Sequence, residues 1–436
     1  MFMNLKTLFK NINFKLFLAL LIMGICPTIY NIIRIFWLGE IPGEYSYSIA
    51  GQLSWVNLIY EISSEAIILP LFYFLGKNIK DKKEFSNKVK TGLLISFCLY
   101  LFISTIVIIF AKPLLQLMAT QEEIIDLSVK YIRLEAISSI FSILQNFSLV
   151  ALVTIGKDRL VYLITITKLI LVSILDLFLI STLSFSLNLG VNGIAVSNII
   201  INLLMFIVAA LLLKAEDVKI FNKEKLDFKW IKGFFKIGGI SGVESFVRNV
   251  FYMVMISRMV NVVGEQGTYW VANNFIWGWL LLPVIQLGEL IKQEVAVDND
   301  NVKKNTKGYF FITTGVVILW LVLIPLYKPF MSNILNYSDV DKLYNLVMVL
   351  LGFYVLYAYQ NIFDSIFYGL GKTNYMLFES VVTNIIYYGI CFILYVTNVF
   401  KPTLLGIALM FGIGNAFDSI VSYVAFIFLK KRYFKE

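Results

Sequence analysis

Two opposite charges, Glu244 and Arg248, lie four residues apart in an apolar stretch over 236–263 and are the residues best placed to do chemistry. In a helix, side chains at this spacing are neighbours on one face. With a rise of about 1.5 Å per residue, Arg248 lies roughly 18 Å from Lys236, near the middle of a ~30 Å hydrocarbon core. A charge at that depth needs a partner or a water-filled cavity. The pair therefore either locks two helices together or lines a transport site.

The composition indicates a polytopic membrane protein. Of 436 residues, 59% are hydrophobic and only 15% are charged, against about 25% charged in soluble proteins. Long apolar segments recur from end to end, which excludes a set of soluble domains. The first segment, 16–37, is long enough to span and lacks a cleavage site, so we expect it to remain as a helix.

The net charge of +9 is explained by where the basic residues lie, and nucleic-acid binding is not expected. Lys and Arg concentrate in alternate loops, at 6–15, 77–90, 214–236, 303–307 and 430–435. By the positive-inside rule these segments are cytoplasmic, and so are both termini. An even number of spans follows. Frequent Ile, Lys and Asn suggest a bacterial genome, which would place the chain in the plasma (inner) membrane.

Apolar windows of about 20 residues predict twelve spans. They lie near 16–38, 46–76, 91–115, 123–153, 159–183, 188–213, 234–263, 267–292, 307–331, 340–369, 373–398 and 402–429. The longest polar stretch divides them, so we expect a six-helix lobe over 1–213, a cytoplasmic linker over 214–232 and a second lobe over 233–436.

The two halves resemble each other in sequence at a nearly constant offset. Gln145-Asn146 and Gly156-Lys157 recur 215 residues later; at offsets of 214 and 213 lie further matches, Gly24 and Arg34 with Gly238 and Arg248, and Gly193-Ile194-Ala195 with Gly406-Ile407-Ala408. Each repeat holds an even number of spans and therefore has the same orientation. We expect an all-α fold whose lobes are related by a pseudo-two-fold axis along the membrane normal, with a cavity between two bundles that rock.

Many other polar residues lie inside the predicted spans. The acids are Glu61, Glu65, Asp176, Glu289, Asp364, Glu379 and Asp418, and the amides are Asn249, Asn273, Asn274 and Gln286. Any one of these side chains could simply form a hydrogen bond between helices. So many acids deep in the membrane, however, predict a water-filled cavity. Arg34 lies near the external end of its span, where its side chain could reach the interface.

The residue types argue against an enzyme. The chain has no His, no HExxH-type metal motif and no GxSxG turn, although an aspartyl intramembrane enzyme remains an alternative. No cofactor is expected. Any proton coupling has to use carboxylates, because the usual side chain that titrates near neutral pH is missing.

Several short motifs lie at defined places in the predicted spans. They are Tyr30-Asn31 with Gly39 in the first span, Gly156-Lys157 after the fourth, Leu175-Asp176 in the fifth, Gly190-Val191-Asn192-Gly193-Ile194-Ala195 opening the sixth and Gly239-Ile240-Ser241-Gly242-Val243-Glu244 in the seventh. With the twelve spans in two lobes, they resemble the multidrug and toxic compound extrusion (MATE) family. The resemblance implies export of organic cations in exchange for Na⁺ or H⁺.

One position departs from the family pattern. Arg34 stands where the family's first span carries its cation-binding aspartate, and an arginine cannot bind sodium or release a proton. Three hypotheses follow: Arg34 binds an anionic substrate, it pairs with Glu61 or Glu65, or it stands in for a bound cation. Glu244 matches an acidic position in part of the family and ranks first for coupling, with Na⁺ bound near it as one form; Glu244→Gln is then expected to abolish gradient-driven transport.

The leading interpretation is a secondary antiporter that exports amphipathic, cationic small molecules by alternating access. The alternative is a flippase for lipid-linked sugars, or an exporter of an anionic metabolite, that uses Arg34 and Arg248, because Arg recognises phosphate through paired donors. We expect a monomer whose partners are a small-molecule substrate and the lipid bilayer.

Overall fold

A computed structural model of the chain describes residue 9 and residues 11–41, 45–76, 81–220 and 225–433. Parts of the predicted basic loops, at 1–8, 77–80, 221–224 and 434–436, lie outside the described residues. Within the described residues the fold is all-α, as the apolar spacing predicts.

The first six predicted spans are six helices. They are α1 Phe14–Glu40, α2 Ser46–Gly76, α3 Lys82–Leu117, α4 Glu122–Thr154, α5 Asp158–Leu179 and α6 Val191–Ala215. The second predicted span, 46–76, has the bounds of α2, whereas α3 begins nine residues before its predicted start at 91. Asp81 explains that early start, because its carboxylate caps the helix by accepting hydrogen bonds from the backbone N–H groups of Lys83 and Glu84, each at 3.0 Å.

The second six spans are less regular, because three of them contain a short π-helical segment. The seventh is α7 Ile231–Tyr252, Met253–Ser257 and α8 Arg258–Val262; the eighth is α9 Gln266–Phe275, Ile276–Leu280 and α10 Leu282–Val297. The others are α11 Asn301–Asn333, α12 Val340–Gly369, α13 Thr373–Val382 with Thr383–Tyr388 and α14 Gly389–Val396, and α15 Leu404–Tyr433. Segments of this kind are frequent at functional sites.

The helices have the length and composition of membrane spans. Among the described residues, nine are long and apolar enough to cross a bilayer, or ten if the pair Gln266–Leu280 and Leu282–Val297, bent by 53°, is one span. The chain is therefore a multi-pass membrane protein, as its composition predicts.

The chain forms two compact units. The continuous unit is Ile33–Met253, and the split unit combines Met1–Ile32 with Val254–Glu436. In the continuous unit, α4 packs against α2, α3 and α6; in the split unit, α12 packs against α10, α11 and α15 around buried Tyr309, Ile366 and Phe367. These bounds differ from the predicted lobes at 1–213 and 233–436, because α7 packs along α2. The two-lobe assignment stays a prediction.

Two glycines of the motif that opens α6 have a steric reason. Gly190 has φ +59° and ψ −141°, a backbone conformation that suits glycine and costs other residues energy. A Cβ at Gly193 would stand 2.7 Å from the backbone oxygen of Leu179. The motif therefore allows the start of α6 to touch the end of α5.

Gly193→Ala is expected to lower the free energy of unfolding by about 1–3 kcal/mol, because the new methyl group meets a backbone oxygen that cannot rotate away. Gly315→Ala in α11 is the matched control, since a Cβ there meets nothing within 4 Å and alanine favours a helix. Thermal unfolding in detergent measures both. A Gly193→Ala protein as stable as wild type would show that α5 and α6 do not touch at this point.

Candidate functional site

Four of the predicted site residues meet at one guanidinium in the continuous unit. The Nη2 atom of Arg248 lies 2.8 Å from Glu65 Oε1 and 3.1 Å from Glu61 Oε1. Its Nη1 atom lies 3.1 and 3.4 Å from the two carboxylate oxygens of Glu244. We call these four residues the Arg248 cluster.

The helices that carry the cluster, α2 and α7, pack against each other. Glu61 and Glu65 lie four residues apart on α2, and Glu244 and Arg248 lie four apart on α7, so each helix presents both of its charges on one face. Gly242 permits a close approach here, because a Cβ at that position would lie 3.2 Å from the Cβ of Ala66.

Asn249 binds the same helix pair together. Its Nδ2 atom donates to the Leu58 carbonyl on α2 and to the Ser245 hydroxyl on its own helix, both at 3.3 Å. The residue is 3% exposed. This amide therefore forms a hydrogen bond between helices, which is one of the two roles that the sequence allowed for it.

The Arg248 cluster has more negative charge than it neutralises. With all three carboxylates ionised the four residues carry a net charge of −2, and with a proton shared between Glu61 and Glu65 they carry −1. Exposure rises across the cluster: the side chain of Glu244 is 6% exposed, Glu65 21%, Arg248 37% and Glu61 43%. The Oε2 atom of Glu65 is buried without a hydrogen-bond partner. Glu244 thus anchors the guanidinium, while Glu61 and Glu65 can receive a further cation.

Arg34 forms a second, closed charge pair in the same unit. Its Nε and Nη2 atoms lie 2.7 and 3.4 Å from the two carboxylate oxygens of Asp176, and Nη2 donates to Asn198 Oδ1 at 2.8 Å. Asn198 in turn donates to Glu135 Oε1 at 2.8 Å. Arg34 is 7% exposed, Asp176 0% and Glu135 5%. These buried groups join α1, α4, α5 and α6.

This geometry excludes one of the three hypotheses for Arg34. The predicted pairing with Glu61 or Glu65 is wrong, because Arg34 pairs with Asp176 and those glutamates bind Arg248. The prediction that its side chain could reach the interface is wrong as well, because the guanidinium is buried. Glu135 was missed from the sequence, although an acid well inside the fourth span was a signal.

A third cluster of polar side chains in the continuous unit surrounds the ammonium of Lys168. The Nζ atom of Lys168 donates to Gln145 Oε1 at 3.0 Å and to Asn202 Oδ1 at 2.8 Å. Asn202 donates to the Ser138 hydroxyl at 3.0 Å. Gln145 is 3% exposed and Asn202 7%. This lysine is held by amide oxygens rather than by a carboxylate.

The split unit contains an acidic group that includes the predicted residue Asp364. Gln360 Nε2 donates to Asp418 Oδ2 at 2.6 Å and to Asp364 Oδ2 at 3.2 Å. The hydroxyl of Thr383 donates to Asp418 Oδ1 at 2.6 Å, and that of Ser422 to Asp364 Oδ1 at 2.7 Å. We call these residues, together with Glu379, whose carboxyl lies beside Asp364, the Asp364 cluster.

The remaining predicted residues lie elsewhere in the split unit. Glu289 pairs with Lys292 at 2.7 Å on the same helix, and Asn274 donates to the Trp270 carbonyl on its own helix at 2.9 Å. Asn273 adjoins it on α9, and Gln286 lies against the backbone at Gly24, within 2.7 Å of where a Cβ would stand. Among the described residues, no group of three or more Cys, Asp or Glu is arranged to hold a metal ion.

Asp176→Leu is expected to lower the free energy of unfolding by about 3–5 kcal/mol, because it leaves the buried guanidinium of Arg34 without its carboxylate. Adding Arg34→Met should restore much of the loss, since an apolar pair can replace a buried ion pair. Asp126→Asn, which removes an exposed pair with Lys112, is the control and should change stability by less than about 1 kcal/mol. Thermal unfolding in detergent gives all three values; no loss in Asp176→Leu would contradict the assignment of Asp176 as the neutralising group.

Comparisons with known proteins agree with this architecture. The MatE family model matches residues 19–178. A search of curated proteins finds no match. An inward-facing multidrug resistance MATE family transporter of the MOP superfamily is similar in structure, with a TM-score of 0.74 and 17% identity over 93% of this chain and 94% of that one.

Two further solved structures are similar over nearly their whole length. An outward-facing multidrug resistance MATE family transporter has a TM-score of 0.73 and 17% identity, and covers 98% of this chain and 97% of its own. A mutant MATE transporter from Vibrio cholerae has a TM-score of 0.73 and 14% identity, with 98% of each chain covered. The resemblance to the MATE family is thereby confirmed, as a sequence match over residues 19–178 and as a shared fold over nearly the whole chain.

Proposed function

We propose that the chain is a secondary antiporter that exports amphipathic organic cations in exchange for Na⁺ or H⁺. The Arg248 cluster carries this proposal, because a partly exposed site with more carboxylates than cations inside a membrane protein attracts cations and repels anions. The similar transporters of the MATE fold, which are multidrug resistance proteins by description, support the same function.

The geometry also suggests how a cation enters. Glu244 holds Nη1 of Arg248 with both oxygens, so the guanidinium stays in place when its other side is released. A substrate cation then competes with Nη2 for Glu61 and Glu65, starting at the unpartnered Oε2 of Glu65. Binding exchanges one cation for another, which limits the cost of removing charge from water.

The anionic alternative has less support. Arg34 is buried against Asp176, and Arg248 is surrounded by three carboxylates. A diphosphate or anionic metabolite would have to displace the protein's own carboxylates from both guanidiniums. Export of a lipid-linked sugar or an anion is therefore the second candidate.

The remaining parts of the proposal follow from charge placement and family resemblance. The chain acts by alternating access, as a monomer in the inner membrane of a bacterium, with both termini in the cytoplasm. Its partners are the small-molecule substrate and the bilayer, and it transports rather than catalyses.

Glu65→Gln is expected to weaken binding of ethidium, a flat organic cation, about tenfold, or roughly 1.4 kcal/mol. The reason is the loss of a carboxylate from a site that has more carboxylates than cations, an effect that partial exposure screens. Fluorescence titration of the purified protein measures the affinity.

Asp126→Asn, on an exposed side chain of the same unit, is the matched control for charge alone and should bind ethidium as wild type does. An uncharged aromatic compound of similar size should bind wild type and Glu65→Gln equally. Equal affinity of both proteins for ethidium would contradict a substrate site at the Arg248 cluster, and tighter binding of an organic diphosphate than of ethidium by wild type would favour the second candidate.

A further inference from the structure

The internal repeat places Lys168 and Thr383 at equivalent positions. Each lies eleven residues after the lysine of a Gly-Lys pair, Lys157 in the first half and Lys372 in the second. Each binds a residue on an equivalent helix: Lys168 binds Asn202 on α6, and Thr383 binds Asp418 on α15. Gln145 on α4 also binds Lys168, and Gln360 on α12 also binds Asp418. The two buried glutamines, 215 residues apart, allow the two polar groups to be compared position by position.

The acids of the Asp364 cluster have apolar equivalents in the first half. Asp364 lies four residues after Gln360, as Leu149 follows Gln145. Glu379 lies seven residues after Lys372, as Ile164 follows Lys157, and Asp418 lies twelve after Gly406, as Met205 follows Gly193. Relative to the first half, the second has lost one ammonium and gained three carboxyl groups at one place.

The two equivalent amides contact charged groups through opposite ends. In the continuous unit, Gln145 Oε1 accepts a hydrogen bond from the ammonium of Lys168. In the split unit, Gln360 Nε2 donates to both Asp364 and Asp418, and its oxygen accepts from Ser419 at 2.8 Å. The first site holds a cation bound covalently to the chain, while the second is built to stabilise negative charge.

Glu379 is the residue of the second site whose surroundings suit a proton. The residue is 3% exposed and its Oε1 atom has no hydrogen-bond partner. Its carboxyl lies within hydrogen-bonding reach of that of Asp364, and two carboxyl groups form a hydrogen bond only when one of them carries a proton. Among the described residues, Asp418 is the charged group that acts on both Asp364 and Glu379.

We propose that Asp364 and Glu379 form the site that binds and releases the coupling proton, with Asp418 held beside them by Gln360 and Thr383. One proton from water converts one carboxylate of the pair into a carboxylic acid, and its release restores the charge. The π-helical segment that begins at Thr383 places the hydroxyl of that residue on Asp418, so the site lies where the eleventh span is irregular. The coupling role rests on the proposed antiport, but proton binding does not.

Proton binding is tested directly on the purified protein. Wild type, Glu379→Gln and Asp364→Asn are titrated between pH 5 and pH 9, and the protons bound per chain are counted. Each variant should bind about one proton fewer than wild type, and Asp341→Asn, an exposed acid on the same helix, should lose none in that range. Thermal unfolding checks that each variant is folded. Equal proton uptake by wild type and both folded variants would overturn the proposal.

Coupling is tested in vesicles by comparing two modes of ethidium transport. Glu379→Gln should lose pH-gradient-driven accumulation at least tenfold but keep ethidium exchange at equilibrium, while Asp341→Asn keeps both. Thr383→Lys supplies the ammonium found at the equivalent position of the first half and should lose accumulation as Glu379→Gln does. Thr383→Val is its control, because it removes the hydroxyl without adding a charge and should keep more accumulation than Thr383→Lys.

The outcomes separate this proposal from the proposed function. Wild type that shows neither ethidium exchange nor accumulation contradicts the export of organic cations, and the proton titration still decides the site. Normal pH-driven accumulation in Glu379→Gln, loss of accumulation in Glu244→Gln alone, or accumulation driven by a sodium gradient instead would overturn the Asp364 cluster as the coupling site while leaving antiport in place.

Discussion

The cost of a charge in a low-dielectric interior is the constraint on which this structure depends. An ionised side chain inside the hydrocarbon layer needs an opposite charge, strong hydrogen bonds, water or a change of protonation. The chain uses a different solution at each place. Arg34 and Asp176 neutralise each other out of contact with solvent, whereas the Arg248 cluster keeps excess negative charge and is partly exposed. Only the second arrangement can exchange partners at low cost.

The internal repeat shows how one helical framework supports different electrostatics. The helix triples α4, α5, α6 and α12, α13, α15 each bring an equivalent glutamine to the interior. Around it, the first half has a lysine and the second has acids. Because backbone packing depends on side-chain volume more than on charge, such positions can change charge while the fold persists. We therefore regard the two halves as similar in helix order and different in their buried charges.

The sequence predicted the helices better than the partners of its charges. The bounds of α2 and α12 follow from apolar length, and the contact of Glu244 with Arg248 follows from helical spacing. The pairing of Arg34 with Asp176 joins residues 142 positions apart, which no local pattern can give. Glu135 was missed for the same reason: its role depends on Asn198 from another helix. The π-helical segments also have no composition that distinguishes them from their neighbours.

A cation that is covalently part of the chain cannot be exchanged with the solution. In the continuous unit, Arg34 is paired with the buried Asp176 and joined through Asn198 to Glu135, and the ammonium of Lys168 is held by amide oxygens, so fixed cations already occupy this interior. Arg34, which the sequence resemblance aligns with the family's first-span aspartate, is thus a fixed cation that neutralises Asp176. Under the proposed antiport, the ion gradient acts on carboxylates without a fixed cation, and among the described residues Asp364 and Glu379 form such a pair.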